Sequence, residues 1–147
     1  MKKTMDEPIQ LSNLAVPAFG YEIIREELLP DLLGKDGPTI LYWAGKRLAR
    51  KYPLFSIDEI YEFFRDAGWG NLQMTNSKEK EITFSLTSEL IRQRLEAKTD
   101  PIFQLEAGFL AEQITQQKKV YAEAYEHPKK KEGNVIFTVK WDNIPFA

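Results

Sequence analysis

Apolar positions recur with a helical period over the first half of this chain, and only after Gly70 does the spacing become alternating. The first helical run is predicted to start near Pro17, a good first-turn residue, and to pass through Phe19, Ile23, Ile24, Leu28 and Leu29 to Gly34. It is apolar on most sides, and Pro30, which lacks an amide hydrogen, is expected to kink or split it. A second helix should follow Asp36-Gly37-Pro38 and end at about Tyr52, where Pro53 stops it. The third carries a capping box in Ser56 and Glu59, staple positions in Phe55 and Ile60, and Gly68 where a left-handed cap belongs. Its apolar stripe reads Ile57, Ile60, Tyr61, Phe64 and Ala67.

The alternating stretch begins with Leu72 and Met74, turns at Asn76-Ser77-Lys78, and returns through Ile82, Phe84 and Leu86, which predicts a β-hairpin. From Ser88 to Lys98 the positions Leu90, Ile91 and Leu95 suit a short helix or a strand extension equally. Asp100 as N-cap and Pro101 as first helical residue should open a fourth helix reaching about Gln117. Val120 to Glu126 and Val135 to Trp141 then form a second hairpin around the Pro128 to Asn134 loop. The expected class is therefore α+β: N-terminal helices, then a ββ-α-ββ unit forming an antiparallel sheet of about four strands, one face covered by helices. Residues 1–14 are expected to be a flexible lead, and 15–142 the core of a single domain spanning 1–147.

Composition narrows the chemistry. The chain has 147 residues, enough to withdraw about 68–70% of its unfolded surface from water. With 20 basic and 22 acidic side chains its net charge is -2, so no overall field draws in nucleic acid, and no such partner is expected. There is no cysteine, which rules out disulfides, thiolate nucleophiles and zinc knuckles. Lys2 and Lys3 are followed by Asp6 and Glu7 instead of an apolar stretch, so neither a signal peptide nor integral membrane association is expected, and the chain should stay in the cytoplasm.

Glu106 and Gln113 fall inside the broad apolar arc formed by Ile102, Phe103, Leu105, Ala107, Phe109, Leu110 and Ile114. A carboxylate there must be paired, hydrogen-bonded, protonated or directed into a polar hollow. The plainer reading is an ion pair with one of Arg25, Arg47, Arg65, Arg92 or Arg94; the sharper one makes Glu106, Gln113 and Phe109 the lining of a ligand pocket between this helix and the sheet. Gly108 and Ala111 suggest close approach of another backbone. On the second helix, Trp43 lies among Lys46, Arg47, Arg50 and Lys51, as a half-covered aromatic on a basic face, a base-stacking residue, or the anchor of a protein interface. Trp43, Arg47 and Arg50 are the interface candidates. His127, the only histidine, cannot alone build a zinc site and has no nucleophile motif to serve, so no metal, cofactor or catalytic residue is expected.

Phe103-Gln104-Leu105-Glu106-Ala107-Gly108-Phe109-Leu110-Ala111, the strand reaching Glu126, Gly133 and the last strand resemble the vinyl-4-reductase-type small-molecule-binding domain. Its superfamily includes haem nitric-oxide sensors and Bet3-like subunits of the TRAPP complex. With Tyr42-Trp43-Ala44-Gly45-Lys46 and Gly68-Trp69-Gly70 added, the chain from about 15 to 142 resembles the uncharacterised bacterial YslB-like family. The resemblance implies a helix-and-sheet fold with an apolar cavity between them, and dimerisation through helices. Cysteines flanking the last hairpin of many such domains are missing, and so is the acylated cysteine of Bet3-like proteins. Tyr21-x-Ile23-x-Arg25 lacks the serine of the haem-sensor Tyr-x-Ser-x-Arg motif, and His127 is in the wrong element for an axial ligand, so haem is not expected. Residues and resemblance together point to a non-enzymatic binding or adaptor domain, homodimeric through its N-terminal helices. The alternative is a sensor that holds a small apolar ligand beside Glu106.

Overall fold

In the computed structural model, which describes residues 11–97 and 100–145, the first described element is a 3-10 turn at Leu11–Asn13, within the expected flexible lead of 1–14; residues 1–10 of that lead lie outside the described residues. Helix α1 (Ala18–Glu22) follows Pro17 and passes into a π-helical stretch, Ile23–Leu28, before α2 (Leu29–Leu33). The amide of Leu29 donates to the carbonyl of Ile24, five residues back. This wide turn sits where Pro30 removes the next amide and would press its ring on the preceding turn, so the proline widens the helix without ending it. A 3-10 turn, Gly34–Asp36, leads into α3 (Gly37–Lys51).

Helix α4 (Ile57–Asp66) carries the predicted caps: the Glu59 amide donates to Ser56 Oγ at 3.1 Å, and the Phe55 amide to Glu59 Oε1 at 2.8 Å. Gly68 has φ +75°, and the amides of Gly68 and Trp69 return to the carbonyls of Arg65 and Phe64. The staple does not close, because Phe55 is 73% exposed. Ala67 is exposed too, and the half-buried Phe63 extends the packed stripe in its place.

Strands β1 (Asn71–Lys78), β2 (Glu81–Thr87), β3 (Val120–Lys129) and β4 (Asn134–Pro145) form one antiparallel sheet in the order β1-β2-β4-β3. The first turn lies at Glu79-Lys80, two residues beyond the expected one. A bulge between Met74 and Asn76 re-phases β1, so that Asn76, Ser77 and Lys78 pair with Thr83, Ile82 and Glu81. Ser88 to Ala97 resolves as helix: Ser88 Oγ accepts the Ile91 amide at 3.0 Å, and α5 (Glu89–Ala97) buries Ile91, Arg94 and Leu95; Lys98, the end of the ambiguous stretch, is not among the described residues.

Helix α6 (Gln104–Lys118) starts three residues later than Pro101 suggested. Its N-terminus is held from afar: one oxygen of Glu126, on β3, accepts the Phe103 amide at 2.9 Å and the Gln104 side chain at 2.6 Å. A carboxylate at that end also complements the helix dipole, which makes Asp100 dispensable as a cap.

Helix α6 is buried almost all round, as expected of a helix enclosed on both sides. One side meets the inward residues of the sheet, among them Phe84, Phe137, Val139, Ala122 and Ala124; the other meets α3. There a β-carbon on Gly45 would stand 2.1 Å from the Leu105 carbonyl oxygen, and one on Gly108 would stand 1.9 Å from that of Tyr42. The two backbones therefore touch through reciprocal glycines. The open sheet edges receive tyrosine hydroxyls: Tyr61 of α4 accepts the Met74 amide at 2.9 Å, and Tyr42 of α3 accepts the Ala124 amide at 3.0 Å.

Gly45→Ala and Gly108→Ala should each cost on the order of 3 kcal/mol or more, since a methyl meets backbone and no flexible side chain can yield. Urea unfolding midpoints measure this, and a loss under about 1 kcal/mol for both would contradict the close crossing.

Candidate functional site

The least expected residue of the sequence, Glu106, is 1% exposed and faces Arg25 of the π-helical stretch. The pair is bidentate: Arg25 Nη1 to Glu106 Oε2 and Nη2 to Oε1, both 2.8 Å. The remaining N–H groups of Arg25 reach Tyr21 Oη (3.2 Å), the Ile102 carbonyl (3.3 Å) and Glu26 Oε2 (3.2 Å). Burial alone would lower the guanidinium pKa; the Glu106 carboxylate, then Tyr21, outweigh it and hold the pKa above its ordinary value. Of the five arginines considered, the fold selects the one with an element of its own to deliver it.

A second guanidinium runs alongside. Arg94 of α5, 5% exposed, binds Glu22 through Nε (3.0 Å) and Nη2 (2.6 Å) and approaches Glu26 at 3.4 Å. Arg25 and Arg94 both lie against the Phe103 ring, 5.7 and 5.4 Å from its centroid. The N-terminal helix is thus fastened to the body by a polar latch, and no residue of it is fully buried.

Glu126 adjoins this latch. Burial raises its pKa, and the Glu106 charge adds to that, against the lowering effects of Gln104, the Phe103 amide and Arg25. The sequence carried a signal for it: Glu126 is in phase with the inward-facing Ala122 and Ala124 of β3. Arg94, between Ile91 and Leu95 on α5, was legible in the same way.

The other two pocket candidates also meet groups of the protein itself. Gln113, fully buried, accepts the Leu54 amide at 3.1 Å and donates to the Tyr52 carbonyl at 2.8 Å, pinning the α3–α4 connection around Pro53. Phe109 stacks on Phe63 at 4.6 Å and meets Trp69 edge-on at 5.3 Å. Each pocket candidate is thus met by protein groups: Glu106 by arginine, Gln113 by backbone and Phe109 by aromatic rings.

The interface candidates are at the surface. Trp43 is 71% exposed; Arg47 is exposed; Arg50 is exposed and meets Glu112 at 3.2 Å. Trp43, Tyr42, Lys46, Arg50 and Glu123 line an open cleft of about 330 Å³. Tyr42 donates to Glu123 Oε1, and burial, then that bond, raises its pKa. His127 borders a neighbouring open groove with Gln104, Glu123 and Glu126. Among the described residues no group of three His, Cys, Asp or Glu side chains could hold a metal, and no helix is long and apolar enough to cross a membrane.

An antiparallel sheet on a central helix, itself crossed by a second helix at paired glycines, defines a small helix-and-sheet domain whose inner carboxylate is paired with an arginine. The chain belongs to the family of proteins of unknown function DUF2507, whose model matches residues 18–140. It is 47% identical over 143 residues, 97% of each chain, to the uncharacterised protein YslB of Bacillus subtilis (strain 168), in keeping with the resemblance read from the sequence. A vinyl-4-reductase family protein from Methanocaldococcus jannaschii shares the fold, with a TM-score of 0.68 and 18% identity over 89% of this chain and 85% of that one. A trafficking protein particle complex subunit 3 from Naegleria fowleri, covalently bound to palmitic acid, aligns with a TM-score of 0.46 and 11% identity over 88% of this chain and 92% of that one.

Glu106→Gln should destabilise the protein by roughly 3–5 kcal/mol, because it removes the bidentate carboxylate from a buried guanidinium and leaves it only the single ion pair with Glu26, and Arg25→Met with Glu106→Leu together should lose less than the single change. Denaturant unfolding of both variants checks this; a double change as harmful as the single one would mean the pair is not the unit. For Glu126, a raised folded-state pKa contributes stability that is present below the ordinary carboxylate value and lost as pH rises through the raised one. Glu126→Gln retains an oxygen for both hydrogen bonds, so its stability relative to wild type should improve as pH goes from about 4 to 7. Thermal unfolding across that range reads the trend, and a pH-independent difference would refute it.

Proposed function

We propose that this chain is a non-enzymatic binding or adaptor domain that works as a homodimer, joined through the helical hairpin made by the N-terminal helix and α3. The observation that carries this reading is where the apolar side chains point. Phe19, Ile24, Leu28 and Leu32 on the N-terminal helix are 73%, 55%, 48% and 77% exposed, and Ile40 and Trp43 on α3 are 44% and 71% exposed. Apolar surface gathered on one hairpin is the mark of an interaction site, and tryptophan with arginine is a favoured anchor pair.

Charge supports a second copy as the occupant. Glu27 and Asp31 are exposed along the N-terminal helix, and Arg47, Arg50 and Lys51 are exposed on α3. A twofold pairing that lays the N-terminal helix of one copy across α3 of the other sets acidic flank against basic flank twice, since an isologous contact repeats every complementary pair. The buried latch serves the same end, for it holds a helix without fully buried residues in place with its apolar stripe turned outward.

Light scattering coupled to size-exclusion chromatography should give twice the chain mass at micromolar concentration, and Leu28→Asp and Trp43→Asp should each return the monomer with unchanged circular dichroism. A wild-type chain that stays monomeric at that concentration removes the proposal.

A further inference from the structure

Between the N-terminal helix and α3 lies a hollow of about 80 Å³ that is more enclosed than the other clefts described above. Leu29, Leu33, Pro38, Leu41, Ile102 and Leu105 line it, and all six are only half-buried, so the body leaves apolar surface there without a partner. Arg25 and Glu26 also border it. An arginine beside an apolar hollow ordinarily suggests a carboxylate or phosphate ligand. Here all five of its N–H groups are already taken, by Glu106 twice and by Tyr21, Ile102 and Glu26 once each. The cation therefore has no donor left for an anion, and its charge is balanced inside the protein.

We infer that this hollow is a binding site for a small neutral aliphatic molecule. Its volume is about half that of an engineered apolar cavity of roughly 150 Å³ that stays dry and takes xenon or benzene, so the occupant is compact, on the scale of a single heavy atom or a branched four-carbon group. The site has a mechanical consequence. Leu29 and Leu33 belong to the N-terminal helix, whereas Leu41 belongs to α3 and Ile102 and Leu105 border or belong to α6. An occupant touches both sides at once and adds an apolar contact where the polar latch otherwise does the fastening, so occupancy stabilises the docked helix by mass action. The inference does not rest on the homodimer: a monomer with this hollow would bind in the same way.

The test uses the full chain labelled at leucine methyl groups and titrated with xenon, isobutanol and isobutyrate. Xenon and isobutanol should shift the methyl signals of Leu29, Leu33, Leu41 and Leu105 saturably, and isobutyrate should bind at least tenfold more weakly. Leu33→Phe fills the hollow and should weaken xenon binding at least tenfold. Should that variant fold poorly, Gly37→Ala is the second: its new methyl meets only Leu33 Cβ at 3.4 Å, at a helical φ of −52°, and it should raise the melting temperature while reducing xenon affinity. Non-saturating shifts, shifts confined to exposed leucines, or binding unchanged in both variants would overturn the site. Isobutyrate binding as well as isobutanol would overturn the assignment to neutral ligands.

Discussion

The close crossing of α3 and α6 is the contact on which the rest of the structure depends. Because Gly45 and Gly108 each lie against the other helix's backbone, the two axes approach more nearly than side chains would permit, and α3 is brought within reach of the strand edge beyond α6. Tyr42, one helical turn before Lys46, can then place its hydroxyl on the Ala124 amide and close part of the β3 edge. Without that approach the central helix would lose its cover on the side away from the sheet, and the buried residues on that side would face water.

The same geometry explains why buried polar groups are tolerated around α6. Each is met by a partner from a different element: Glu106 by the π-helical stretch, Gln113 by the connection around Pro53, Thr115 by the Ala122 amide. Buried carboxylates and amides are costly alone and cheap when every hydrogen bond is made. Their satisfaction ties three distant segments to one helix, so the polar groups specify how the parts assemble.

Fastening by ion pairs has a functional side. The N-terminal helix keeps Arg25, Glu22 and Glu26 against the body, with Phe19, Ile24, Leu28 and Leu32 exposed and Leu29 and Leu33 turned toward the hollow. An amphipathic helix usually does the reverse. Inverted in this way, it leaves apolar surface exposed, and where it leans on α3 it leaves a hollow that its own side chains do not fill. The two features share one cause, a helix whose deepest contacts with the body are ion pairs.

Much of this was legible in the residues alone, and the rest has a definite reason for not being so. The α4 caps, the alternation of β2 and β4, the class of fold and the demand that Glu106 be paired all follow from local spacing, because capping, pleat and burial act over a few residues. The start of α6 and the turn at Glu79-Lys80 did not, since each is settled by a group far along the chain or by pairing across the sheet, and the helix at 89–97 combines the local Ser88 bond with the distant Arg94–Glu22 pair. Local sequence required that Glu106 have a partner, but five arginines met that requirement equally. Only the tertiary structure, by winding a π-turn before Pro30 and laying that helix over α6, chose Arg25, and by using all its hydrogen bonds determined that the hollow beside it is apolar in character.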